Sequence, residues 1–146
     1  MNCLGCRIAS GMEPDLNIVY ENEYLTCVLD IVPFNEGHLL ILPKQHYLDV
    51  EELDSETAQA IMAASQKLSI VLKKIFCPDG ISICQNGGLF NDLTHYHMHL
   101  IPRYKGDGFS WSEPATPHGA ELRLRETRER MVRGLTAHVQ KSPFTS

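Results

Sequence analysis

The apolar positions of this chain fall into short strand-like runs, two longer helical stripes and the polar segments between them. Asn17-Ile18-Val19-Tyr20 and Tyr24-Leu25-Thr26-Cys27-Val28-Leu29 are β-prone and separated by Glu21-Asn22-Glu23, which predicts a hairpin. A loop then starts at Asp30 and runs through Pro33, Asn35 and Gly37. His38-Leu39-Leu40-Ile41-Leu42 is nearly continuous in apolar character and is stopped by Pro43, the pattern of a strand in the middle of a sheet. Asp54 or Ser55 can cap a helix with Glu56 in its first turn, and Ile61, Ala64, Leu68, Leu72 and Ile75 form its apolar stripe. Cys77-Pro78-Asp79-Gly80 ends it.

Ile81-Ser82-Ile83-Cys84-Gln85 alternates as a strand, and Asn86-Gly87-Gly88 predicts a flexible turn. The next strand runs from His95 to about Arg103. Side chains of an extended segment alternate between faces, so His95, His97 and His99 stand in a row facing one cleft, with Tyr96, Met98 and Leu100 on the other side. Residues 106–117 are rich in Gly, Pro and Ser and read as a surface loop. A second helix is expected from Gly119 to Val139, with Glu121/Arg125, Glu126/Arg130 and Glu129/Arg133 at helical spacing and an apolar face of Leu124, Met131 and Leu135. Gly134 weakens it, and the tail from Ser142 is expected to be loose. Hairpins, a helix and further strands predict an α+β fold: an antiparallel sheet of about five strands carrying the histidine strand, one central helix and a C-terminal helix. No internal repeat is present.

The 146 residues fit a single domain spanning 1–146, with its core at about 3–105 and a C-terminal loop and helix at 106–141. A net charge of −5, with basic residues scattered or gathered in the late helix, argues against a groove for long nucleic acid. A small phosphorylated ligand is compatible with it. No apolar run reaches the ~18 residues of a membrane span, and Met1-Asn2-Cys3-Leu4-Gly5-Cys6 lacks the regions of a secretion signal. A cytoplasmic protein without a membrane partner is expected. Five cysteines, an odd number, fit reduced thiols better than a disulfide framework; Cys27, Cys77 and Cys84 lie among apolar neighbours.

Imidazole serves as nucleophile, proton carrier or metal ligand near neutral pH, so a row of three points to phosphoryl or metal chemistry. The alternative is a polar sheet face that happens to hold histidines. Cys3 and Cys6, two residues apart in between, suit a metal, a redox pair or two idle thiols.

The ordered set Cys3-x-x-Cys6, Leu29-Asp30-Ile31, Gly37-His38-Leu39-Leu40-Ile41-Leu42-Pro43-Lys44, His46 and His95-x-His97-x-His99 resembles the histidine triad (HIT) family. It resembles in particular the bacterial branch with an N-terminal cysteine pair, over about residues 3–103. The resemblance implies a HIT-like fold, a homodimer, and hydrolysis or transfer of a nucleoside phosphate through a nucleotidyl-histidine. His97 would be the nucleophile and His99 would contact the α-phosphate or bridging oxygen. Nucleotide contacts would come from Asp30 on the ribose hydroxyls, Ile31 on the base and Asn86 on phosphate, together with His97 and His99. Leu4 and Ile8 would line the base or simply pack. Cys3, Cys6, His46 and His95 would hold a structural zinc. The implied ligand is a nucleoside mono- or polyphosphate, and the substrate a molecule such as a dinucleoside polyphosphate or nucleoside phosphoramidate.

One segment departs from the family pattern. Where Gly-Gln-Ser/Thr is usual before the triad, this chain has Phe90-Asn91-Asp92-Leu93-Thr94 in a shorter loop. Asp92 would repel a polyphosphate if it points inward; alternatively it orients a zinc-bound histidine. Arg103, Tyr104 and Lys105 either meet a distal phosphate or are solvated. His38 is expected to support the start of its strand, His118 and His138 to lie on the surface, and Trp111 to sit in the loop without an assigned role. Two other functional readings stand beside hydrolysis: a nucleotide-binding regulatory protein with little turnover, and a metal-dependent hydrolase with His95, His97 and His99 as ligands. The second competes with the separate four-ligand set for His95.

Overall fold

A computed structural model describes residues 2–141, which fall into two compact units, one ending at Gly108 and the other beginning at Phe109. The first holds α1 (Leu4–Ala9), β1 (Ile18–Glu21), β2 (Leu25–Leu29), β3 (Leu39–Pro43), α2 (Ser55–Phe76), β4 (Gly80–Cys84) and β5 (Met98–Arg103). Its five strands make one antiparallel sheet in the order β1-β2-β3-β5-β4. The fold is the expected α+β class.

Each face of the sheet packs a helix, and this decides where the chemistry sits. On one face Leu25, Cys27, Leu39, Ile41, Met98 and Leu100 pack with Ile61, Ala64, Leu68 and Leu72 of α2. On the other, Val28, Leu40 and Leu42 pack with Ala9 of α1. β3 is buried on both sides along its length, which explains why its sequence is apolar without alternation. Thr26, wholly buried, donates its hydroxyl to the Ala9 carbonyl at 2.7 Å and ties α1 to the sheet.

α2 begins where the sequence predicts, because the Asp54 carboxylate accepts from the Thr57 backbone N–H at 2.7 Å. It ends at Cys77 in a left-handed conformation, φ 46°. Ile75, expected on the buried stripe, is 63% exposed; one turn beyond Leu72 the core-facing position is Phe76, which packs against the core instead. β3 includes Pro43, which pairs with Leu25 at the sheet margin rather than stopping the strand before it. β4 starts and ends one residue earlier than expected.

The ladder of β5 begins at Met98, not at His95. Ahead of it the Tyr96 N–H turns to the Tyr47 carbonyl at 2.7 Å, so residues 95–97 leave the ladder while keeping their alternating faces. Tyr96 remains in the α2-side core, and His95 and His97 remain buried opposite it. The short helix α1 was not foreseen from the sequence.

In the second unit, Gly119 takes φ 68° before a 3-10 turn at Ala120–Arg123, followed by α3 (Leu124–Lys141). Leu124, Met131 and Leu135, the apolar positions of this helix, are exposed. The ion pair on this helix is Arg125 Nε to Glu129 Oε1, 3.3 Å, instead of the three expected pairs. His118, His138 and Trp111 are exposed. The expectation for the tail from Ser142 lies outside the described residues. Among those residues no helix is long and apolar enough to cross a membrane.

Candidate functional site

The three histidines do not share one cleft. His95 faces the N-terminal cysteines, whereas His97 and His99 line a cavity of about 360 Å³, within the range of small-molecule sites.

Cys3 caps the N-terminus of α1 and Cys6 lies one turn on, so a single turn of helix presents both sulfurs to the same point. Cys6 Sγ stands 3.2 Å from His46 Nδ1 and 3.5 Å from His95 Nδ1; Cys3 Sγ is 3.7 Å from His95 Nδ1. The four potential ligand atoms all lie within 4.8 Å of one another. His95 Nε2 meets the Pro43 carbonyl at 2.8 Å, and a carbonyl can only accept, so Nε2 carries the proton and Nδ1 turns its lone pair toward the sulfurs. That is the tautomer a metal ligand needs. Burial, then the neighbouring Cys3 thiol, raises the Cys6 pKa, a cost that a bound cation reverses. Two sulfurs and two imidazole nitrogens are the donor set of a closed, tetrahedral zinc site.

Gly5 makes this convergence possible. A Cβ placed there would lie 2.2 Å from His95 Cβ, so only glycine lets the α1 backbone rest on the histidine.

His97 has the opposite tautomer. Its Nδ1 meets the His95 carbonyl at 2.9 Å and therefore donates, which leaves Nε2 facing the cavity. For His99 the assignment follows from a chain of contacts. The Phe34 backbone N–H donates to His38 Nδ1 at 3.0 Å, so His38 carries its proton on Nε2 and donates it to His99 Nδ1 at 2.9 Å. His99 then keeps a proton on Nε2. Burial, followed by the nearby His97 and His38 rings, pushes the His99 pKa down to about 4, so the ring is neutral at pH 7. His38 is also lowered by burial, although Asp30 Oδ2 at 3.6 Å opposes this.

Asp30, Ile31, Leu4 and Ile8 all line the same cavity as His97 and His99. Asp30 Oδ1 accepts from the Val32 N–H at 2.9 Å, and Ile31 is 87% exposed at the rim. Asn86 is not among the lining residues; it follows β4 beyond the cavity. Arg103 and Tyr104 are engaged elsewhere: Arg103 forms a two-pronged pair with Asp107 at 2.7 and 2.8 Å, and the Tyr104 hydroxyl donates to the Phe76 carbonyl.

Asp92 points at His97 and not at the histidines of the sulfur cluster, with Oδ1 3.3 Å from His97 Nε2. Its neighbour Asn91, which sequence reasoning passed over, supports this part of the site. Asn91 is buried; its amide donates to the carbonyls of Leu48 and His95, and its oxygen accepts from the Leu93 N–H. The side chain that accepts from the backbone two residues on was a visible signal for a fixed turn.

Residues 12–106 match the family described as HIT domain. The chain is 38% identical to Protein hit of Bacillus subtilis over 125 residues, covering 82% of this chain and 86% of that protein. It is 30% identical to Adenylylsulfatase HINT3 of Arabidopsis thaliana over 144 residues, 97% of this chain and 72% of the relative. Its fold matches a crystal structure of a Zn-bound histidine triad family protein from Mycobacterium smegmatis with a TM-score of 0.68 and 31% identity, covering 92% of this chain and 98% of that one. With its ordered histidines divided between a sulfur cluster and a cavity, this chain belongs to the HIT family.

Proposed function

We propose that the protein hydrolyses or transfers nucleoside phosphates through a nucleotidyl-His97 intermediate. The observation that carries this reading is the His97 Nε2 lone pair, fixed by the Nδ1–H bond to the His95 carbonyl and aimed into a cavity of nucleoside size. In the first step Nε2 forms a bond to the α-phosphorus while the bond to the leaving group breaks and its electron pair departs with that group. The departing group takes up a proton from solvent; in the second step water attacks phosphorus and gives its proton up to solvent, and the P–N bond breaks with its pair returning to the ring. His99, neutral with its proton on Nε2, donates to a phosphate oxygen in both steps and offsets the charge gathering there. Asp30 accepts from the ribose hydroxyls, while Ile31 on one side and Leu4 and Ile8 on the other enclose the base. Asn86 serves the phosphate only if a ligand reaches past the lining described above.

Cys3, Cys6, His46 and His95 hold zinc in this reading, supported by the Nδ1 tautomer of His95 and by the zinc-bound relative. The ion would supply cross-linking of α1 to the strand bearing the nucleophile and no bond-breaking. A cytoplasmic homodimer acting as one HIT domain completes the proposal. The test is to incubate the protein with an α-labelled adenine nucleotide and look for acid-labile label on His97.

A regulatory protein with slow turnover is the second reading, and one observation favours it: Asp92 stands directly before the attacking nitrogen. Binding of stoichiometric nucleotide with neither label nor turnover would decide for it.

A further inference from the structure

The cavity has a one-sided charge inventory. Among the residues lining it, Asp30 and Asp92 are acidic and none is Lys or Arg. Asp30 directly follows β2, while Asp92 Oδ1 stands 3.3 Å from the atom that would attack phosphorus. Its side chain is 85% exposed, so the charge is presented to whatever approaches Nε2. The buried Asn91 holds the turn through its bonds to Leu48, His95 and Leu93, so the backbone that carries the carboxylate is fixed on both sides.

Two basic side chains of the first unit are held in ion pairs. Arg103 is paired with Asp107, and Lys44 Nζ lies 3.2 Å from Glu21 Oε2. A single α-phosphate meets the neutral N–H of His99, but a chain of further phosphates leaving past Nε2 would bring several negative charges against Asp92, with no Lys or Arg among the lining residues to receive them.

Resting on the nucleotide reading above, we propose that Asp92 is a specificity-determining residue, a charge filter on the leaving group. It admits leaving groups that are neutral or carry an ammonium group beside the α-phosphorus and rejects those that continue as a phosphate chain.

Binding and turnover test this separately. Titration calorimetry of AMP, ADP and ATP without magnesium would give affinities that fall along that series in the wild type. Asp92→Asn should raise ATP affinity at least tenfold while moving AMP far less, Asp92→Glu should keep the wild-type order, and added salt should shrink the wild-type differences. In turnover, the ratio of kcat/KM for AMP joined through nitrogen to a diamine over that for diadenosine tetraphosphate should drop at least tenfold in Asp92→Asn. If AMP binds but Asp92→Asn leaves the affinity series and the ratio unchanged, the filter is wrong and the nucleotide reading survives. If AMP does not bind at all, the nucleotide reading itself fails.

Discussion

His95 and His97 lie two residues apart on the same face of one segment, both buried, yet each offers a different nitrogen to a different site. In His95 the Pro43 carbonyl takes the Nε2 proton and Nδ1 looks toward sulfur; in His97 the His95 carbonyl takes the Nδ1 proton and Nε2 looks into the cavity. The ring chemistry is identical. What differs is which backbone carbonyl lies within reach, and therefore the sheet, rather than the residue type, sorts the proposed ligand from the proposed nucleophile. Loss of the first should be felt in the fold and loss of the second in the chemistry.

The sharpest break of that contrast is His97→Ala. Labelling should vanish and turnover should fall by on the order of 10⁴-fold or more, as for other lost nucleophiles, while zinc content stays unchanged by atomic emission. His95→Ala should do the reverse in kind: zinc stoichiometry falls and urea denaturation shows a loss of about 3 kcal/mol, at the upper part of the range for single changes. Equal stability loss in the two variants would dissolve the distinction. Gly5→Ala keeps all four ligand residues but forces α1, with its cysteines, off His95, and about 2 kcal/mol of destabilisation should accompany weaker zinc retention against a chelator. Retention at the wild-type level would mean the helix backbone accommodates the methyl group.

The smallest effect concerns pH. His99, at about 4, and His38, also lowered by burial, titrate below the unfolded value near 6.5. Above pH 6.5 neither state binds these protons. As pH falls from 6.5 toward 4 the unfolded chain takes up protons that the folded protein refuses, so stability falls across that window and levels off below it. After allowance for the partial exposure of His99, about 1 kcal/mol should be lost by pH 4, and the wild-type slope in urea midpoints should be reduced in His99→Asn.

Elements that state their own environment were readable. β3 announces burial on both faces by five apolar residues without alternation, α2 declares its cap at Asp54 and its stripe through Leu72, and the triad's alternation places Tyr96, Met98 and Leu100 opposite the histidines. The family resemblance pointed to Cys3, Cys6, His46 and His95, and their ligand atoms do converge. Features created by register were not readable. The bond from His38 to His99 spans 61 positions and exists because Leu39 and Leu40 pair with Leu100 and His99 across the sheet. The direction of Asp92 depends on carbonyls that Asn91 finds in two other segments, and no local pattern encodes those. Ile75 misled because a stripe at three- and four-residue steps has two possible continuations, and packing chose Phe76.

α1 is six residues long and touches both sites, with Cys6 toward the sulfur cluster and Leu4 and Ile8 toward the cavity. If zinc and a nucleoside each settle the same helix, their binding energies cannot be independent. By thermodynamic reciprocity, the factor by which the ion tightens the nucleoside is the factor by which the nucleoside tightens the ion. A helix too short to persist alone would then act as a shared lever between two ligands that never meet.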